Sequence, residues 1–142
     1  DVMADRALGH YTHEKNPVCC AAALATIECL EKDALVAHAR ALGEHALARL
    51  QELRSRHPLI GDVRGLGLLL AIELVRDRST KERAPDEAEA VMYRALEKGL
   101  SFKVTAGNVL SLLPPLTISR ADLEKAFSIV DECLTVVAAS RV

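Results

Sequence analysis

The chain has 142 residues, 50% of them hydrophobic and only 3% aromatic, and its 18 basic and 20 acidic side chains leave a formal charge of −2. That is one domain's length, sufficient to bury roughly two-thirds of the surface the unfolded chain exposes, and its apolar content excludes disorder. Near-neutral charge, the absence of a basic run and the presence of just two Tyr and two Phe argue against nucleic-acid binding, and the most apolar stretches, Val18 to Ile27 and Leu66 to Val75, fall short of the ~20 residues of a membrane span.

In chain order, Asn16-Pro17 predicts a helix start, because Asn caps an orphan N–H and Pro supplies a preset φ at the first helical position. That helix runs to about Glu31, and Lys32-Asp33 break it. Leu35, Ala39, Leu42, Ala46, Leu50 and Leu53 then recur at helical spacing in a second helix that ends before Pro58. Val63-Arg64-Gly65-Leu66-Gly67 is too rich in glycine for a helix interior and leads into the β-compatible run Leu68 to Val75, a largely buried strand. Gly65-Leu66-Gly67 lacks the rest of a dinucleotide fingerprint and reads as a bend before that strand. Arg76 to Glu87, with eight charged residues and a proline, reads as an exposed loop.

Pro85 opens a third helix with Ala88, Val91, Met92, Ala95 and Leu96 on one face, closed by Gly99 in a left-handed cap. Leu100 to Val104 and Val109 to Leu113 flank Ala106-Gly107-Asn108 as a strand, turn and strand that Pro114-Pro115 ends. Ser119 and Asp122 form a capping box for a terminal amphipathic helix bearing Leu123, Ala126, Phe127, Val130, Cys133, Leu134 and Val137. No internal repeat is present. The order of elements predicts an α+β domain, a small mixed or antiparallel sheet covered by helices.

Few residues carry chemistry. Cys19, Cys20, Cys29 and Cys133 lack the spacing of a zinc site and read as reduced, small core residues. His38, His45 and His57 fall on or beside the second helix, on faces expected to be solvated. His10-Tyr11-Thr12-His13 is the densest polar cluster and stands just before a helix N-terminus, where backbone N–H groups and the helix dipole favour an anion such as phosphate or carboxylate; the alternative is a plain surface loop. Two histidines without further ligands do not make a metal site, and none is expected. The chain opens on Asp1 rather than Met with no secretory signal before it, so its natural N-terminus is expected elsewhere and the chain is read as a fragment.

Three segments, in order, resemble the C-terminal part of class III pyridoxal-phosphate aminotransferases. They are Gly9-His10-Tyr11-Thr12 through Asn16-Pro17 with the helix Cys20 to Glu28, then Ile60 to Leu68 continuing to Ile72-Glu73-Leu74, and finally Gly107-Asn108-Val109-Leu110 with Pro114-Pro115-Leu116-Thr117-Ile118-Ser119. The resemblance implies a cytoplasmic homodimer of fold type I, the aspartate aminotransferase superfamily, that uses pyridoxal 5'-phosphate to pass an amino group from an amino donor to a keto-acid acceptor. In this frame residues 1–16 end the large-domain segment and carry a phosphate-contact loop, 17–57 form a helical linker, and 58–142 form the C-terminal small domain.

The family's Schiff-base lysine would lie upstream of Asp1, so no catalytic residue is assigned here and the isolated chain is expected to be inactive. Thr12 matches the threonine that donates to the cofactor phosphate of the neighbouring subunit, although Glu14-Lys15 replace the two glycines that many members have before the Asn-Pro pair. Ser111 stands three residues before Pro114-Pro115, where many members that bind an α-carboxylate carry arginine. A serine cannot supply that charge, so either the substrate lacks that carboxylate in one half-reaction or another residue binds it; with Ser111 lining the substrate entrance, the expected substrate is an amine, an ω-amino acid or another non-standard amino compound. Racemases, decarboxylases and lyases share the scaffold and stay open as alternatives. So does a stand-alone α+β binding or oligomerisation module, which would cover Val18, Cys19 and Ala22 where a fragment would expose them.

Overall fold

The computed structural model describes residues 16–140. They divide into two compact units, one reaching Val36 and one starting at Ala37. The first contributes helix α1 (Pro17–Lys32), in which Asn16 Oδ1 accepts from the Val18 N–H at 2.9 Å and Pro17 takes the first turn. No residue of α1 is buried, and Val18, Leu24 and Ile27 are all more than half exposed. The expectation that the cysteines are core residues is therefore corrected: Cys19, Cys20 and Cys29 are exposed on α1, and Cys133 is the buried one. An alanine-rich helix reads as a core helix from composition, yet composition alone buries none of its residues. Asp33 and Ala34, the latter with φ of 49°, end the helix at the expected break.

The second unit holds α2 (Leu35–Arg56, most of it), β1 (Ile60–Leu66), β2 (Leu69–Asp77), β3 (Glu82–Arg83), α3 (Pro85–Glu97), β4 (Lys103–Thr105), β5 (Val109–Leu112) and α4 (Arg120–Ala139). The sheet runs β1-β2-β5-β4 with β3 added to β2, and every pairing is antiparallel. The fold is α+β, as expected. Two local readings are corrected. Ile60–Leu66 is itself a strand, hairpinned to β2 through Gly67 at φ 55°, so the glycine-rich segment is more than a bend. Arg76 to Glu87 is not a uniformly exposed loop, because it contains β3, and Ala84 and Glu87 are buried.

Helix ends follow local chemistry. Ser119 Oγ accepts from the Asp122 N–H at 3.0 Å and donates to its carboxylate at 2.6 Å, closing the N-terminus of α4. At the end of α3 the Leu100 N–H reaches Ala95 O and the Gly99 N–H reaches Leu96 O, both at 2.9 Å, with Gly99 at φ 83°. This is the paired closure that a left-handed glycine permits.

Strand alternation sorts the sheet's two faces. Val63, Leu70, Ile72, Leu74, Leu110 and Leu112 point to one side and join Leu50 and Leu53 of α2, Val91 of α3 and Phe127, Val130 and Leu134 of α4 in one core. Buried Asn108 knits the β5 end of this layer. It donates Nδ2–H to Leu74 O at 2.8 Å, accepts from Arg83 Nε at 3.0 Å, and its carbonyl takes the Leu74 N–H at 2.8 Å. Arg78 caps the end of α2, donating to the carbonyls of Arg54, His57 and Ile60 at 2.6, 2.8 and 2.9 Å.

Of the three histidines on or beside α2, His38 is exposed as expected, whereas His45 is half-buried and His57 buried, so these two depart from the solvated role. His38 Nε2 meets Ile118 O at 3.0 Å, His45 bonds the Glu124 carboxylate, and His57, 8% exposed, bonds Asp131 at 2.5 Å. Arg49 Nε adds to Glu124 at 3.1 Å and Arg56 to Asp131 at 2.8 Å. Glu124 and Asp131 are seven residues apart, so they share one stripe of α4 and fasten it to α2 at two levels. Burial alone pushes both carboxyls up, but hydrogen bonds from His45 and Arg49 to Glu124, and from His57 and Arg56 to Asp131, outweigh it and leave both below their usual range. A carboxyl depressed on folding adds stability above its unfolded pKa of about 4 and loses it as pH falls toward the folded value. Asp131→Asn is therefore expected to lower the urea midpoint at pH 7, with the gap to the parent chain narrowing as pH falls below about 4; a gap independent of pH would contradict this.

Candidate functional site

The helices cover one face of the sheet and leave the other open. Along the open face one cross-strand row joins Arg64 (β1), Ala71 (β2), Ser111 (β5) and Lys103 (β4), each the register partner of the next. With neighbouring strands about 4.8 Å apart, the row spans roughly 14 Å between the backbone positions of its two cationic residues, and its middle positions carry only small side chains. The next row joins Asp62, Glu73, Val109 and Thr105. On the other side lie Leu66 and Leu69, register partners 85% and 59% exposed, and just beyond β5 Leu113 is exposed as well. A polar trough thus runs beside an apolar border.

The two ends of the trough differ. Arg64 Nη1 donates to Asp62 at 2.8 Å and to Glu73 at 2.7 Å. Those two carboxylates hold the guanidinium above its usual pKa and leave this end of the row with one net negative charge. Lys103 is exposed and pairs with no carboxylate among the described residues. Beside it, the Thr105 and Ser111 hydroxyl oxygens lie 2.8 Å apart in a hydrogen bond that either can donate. If one hydroxyl hydrogen is used within the pair, the other stays available to an acceptor above the sheet.

The structure thus places Ser111 half-buried on the open face, next to Lys103 and Thr105. Sequence reasoning missed these two residues. The visible signal was the Lys-x-Thr alternation of β4, but the register that puts Lys103 opposite Ser111 appears only once the hairpin is drawn. Thr12 and the pair His10 and His13 lie outside the described residues. Among the described residues, no group of three or more His, Cys, Asp or Glu stands where a metal ion would be held, and no helix is long and apolar enough to cross a membrane.

A second concavity of about 240 Å³ lies on the covered side, walled by Leu100, Phe102, Leu112, Pro114, Phe127 and Val130 among others. Its lining is almost wholly apolar, with Ser101 adding a hydroxyl, so it offers no charge to orient a polar reactant. A pyridoxal phosphate needs a lysine for its aldehyde and a cup for its phosphate. The described lysines, Lys32, Lys81, Lys98, Lys103 and Lys125, are all exposed, and Lys98 is bound to Glu132 at 2.7 Å. As a set, the described residues do not fit that group.

Comparison with known proteins agrees with this partial picture. The chain is 51% identical over 134 residues to an (R)-1-hydroxy-2-aminoethylphosphonate ammonia-lyase of Vibrio splendidus, covering 94% of this chain and 28% of that protein. It is 45% identical to a leucine/methionine racemase of Thermococcus litoralis (95% and 31%) and 41% identical to a 5-aminovalerate aminotransferase of Pseudomonas putida (97% and 32%). The chain therefore spans about a third or less of the length of these relatives. An aminotransferase structure from Bacillus anthracis superposes with a TM-score of 0.83 at 35% identity, covering 94% of this chain and 33% of that one. The family model for aminotransferase class III matches residues 4–134. A fold shared with a solved aminotransferase and a family match that runs almost from end to end make the chain a member of the class III aminotransferase family.

Proposed function

We propose that the chain is the C-terminal part of a pyridoxal-phosphate-dependent, homodimeric cytoplasmic enzyme that transfers an amino group from an amine or ω-amino acid to a keto acid. The cofactor, when bound, supplies an electron sink for bonds to the carbon bearing nitrogen. This chain contributes the open sheet face that lines the substrate and, through Thr12, a phosphate contact to the partner subunit. The observation that carries the substrate reading is Ser111. The resemblance puts a carboxylate-binding arginine in many relatives at this position, whereas here a hydroxyl bonded to Thr105 occupies it. The nearest cation along β1 and β2, Arg64, is already held by Asp62 and Glu73.

The test uses the whole enzyme with its cofactor and compares turnover of ordinary α-amino acids with that of amines and ω-amino acids, following keto-acid amination. Amines and ω-amino acids are expected to give the higher kcat/KM, and exclusive use of α-amino acids would overturn the reading. Elimination of ammonia from an amine bearing phosphonate is the second reading, favoured by the 51% identity to a protein named for that reaction. Ammonia released with no keto acid added would identify it.

A further inference from the structure

We infer that Lys103, together with the Thr105–Ser111 hydroxyl pair, seats the acidic group of the substrate, and that this group is a tetrahedral oxyanion, a phosphonate or phosphate ester, carried on a primary amine. The inference rests on the proposed function above and names the substrate class of the same face.

Three observations carry it. First, charge along the row is lopsided: Arg64 is neutralised by two carboxylates, while Lys103 has no carboxylate partner among the described residues. An anion on this face is repelled at the β1 end and attracted at the β4 end. Second, the donors around Lys103 suit a tetrahedral group better than a planar one. A guanidinium fork matches the two coplanar oxygens of a carboxylate, but an ammonium is a point charge whose three N–H bonds diverge. The hydroxyl pair, fixed at 2.8 Å, adds a donor from a different direction. Third, there is room, because Ala71 and Ser111 are the side chains between the cations and neither fills the trough. A phosphate ester carries about 1.5 to 2 negative charges near neutral pH and a phosphonate more than one, so the ammonium gains more from either than from the single charge of a carboxylate.

The test is made on the whole enzyme with cofactor, using Lys103→Met, Lys103→Arg and, as a control on an exposed lysine of α4, Lys125→Met. Methylphosphonate and inorganic phosphate are titrated calorimetrically, with acetate as the carboxylate probe, and KM and kcat are measured for 2-aminoethylphosphonate, O-phosphoethanolamine and 5-aminovalerate. A charge-assisted hydrogen bond corresponds to about ten- to a hundredfold in affinity. Lys103→Met is expected to weaken methylphosphonate by at least about tenfold and to raise KM for the phosphorus-bearing amines by a like factor, with the loss falling on KM rather than kcat. Lys103→Arg restores part of it, and Lys125→Met leaves the parent values.

The preferred amine distinguishes phosphonate from phosphate ester. Equal binding of methylphosphonate by parent and Lys103→Met, or acetate bound as tightly as methylphosphonate, overturns the inference. Failure to turn over any amine would overturn the proposed function instead, and the calorimetric comparison would still decide the role of Lys103. An unfolded Lys103→Met, recognised by its circular dichroism, leaves Lys103→Arg and the acetate-to-methylphosphonate ratio of the parent to decide.

Discussion

Phe127→Ala is expected to lower the unfolding free energy of the chain by about 3–5 kcal/mol, toward the top of that range. Phe127 is 1% exposed and sits on α4 where the helix meets the sheet. Truncating it removes the transfer free energy of the ring and opens a void. The cost of the void depends on whether neighbours collapse into it, and here collapse is opposed because the ring already borders the apolar concavity of about 240 Å³. Removing the ring merges the new space with the old rather than leaving a small gap that Leu123 and Val130 can close. Urea denaturation followed by circular dichroism measures the effect. A loss below about 1 kcal/mol would mean that α4 is not seated as described.

Gly43→Ala is expected to destabilise, although helix propensity alone predicts a gain of about 1 kcal/mol for that change in a helix interior. A Cβ built on Gly43 falls 2.3 Å from Gly67 O and 2.5 Å from Gly67 C and Cα. These are backbone atoms of the β1–β2 turn, held by the hairpin register on either side, and they cannot swing away as a flexible side chain could. Gly67 itself stands at φ 55°, so the turn has little freedom to re-form around the added methyl. Overpacking typically costs about 1–3 kcal/mol, and the clash with fixed backbone exceeds the propensity gain. Comparing Gly43→Ala with an exposed change on the same helix, such as Glu44→Ala, separates the effects. A midpoint for Gly43→Ala above the parent would show that α2 does not touch the turn.

What could be read from the chain in advance follows the range of the interactions. The caps at Asn16, Gly99 and Ser119 were legible because each is decided within a few residues. Strand Ile60–Leu66 was not, because Gly61, Asp62, Arg64 and Gly65 carry little β-preference and the segment becomes a strand by pairing with Leu69–Asp77. The histidine contacts were hidden for the same reason: His45 and His57 find Glu124 and Asp131 at separations of 79 and 74 residues. At the candidate site, Ser111 was singled out by a family resemblance that needs only its distance to Pro114-Pro115. Lys103 was not, since nothing short of the β4–β5 register makes it a neighbour. Cys19, Cys20 and Cys29 misled in the opposite way, because an alanine-rich context signals burial only when something lies over it.

The one-sided covering of the sheet has a consequence for how such a chain can diverge. Over Leu70–Ile72 of β2 and Leu110–Leu112 of β5, buried core residues alternate with residues of the open face, so the two sets are interleaved in sequence yet separated in space. Leu70, Ile72, Leu110 and Leu112 answer to the core, whereas Ala71 and Ser111 on the trough do not belong to it. A single codon change at a trough position can alter charge, size or hydrogen bonding toward a reactant without disturbing the packing beneath. Selection for a new chemistry is then decoupled from selection for folding. Relatives 51%, 45% and 41% identical to this chain are named as a lyase, a racemase and an aminotransferase, so similar sequences carry the names of three different chemistries.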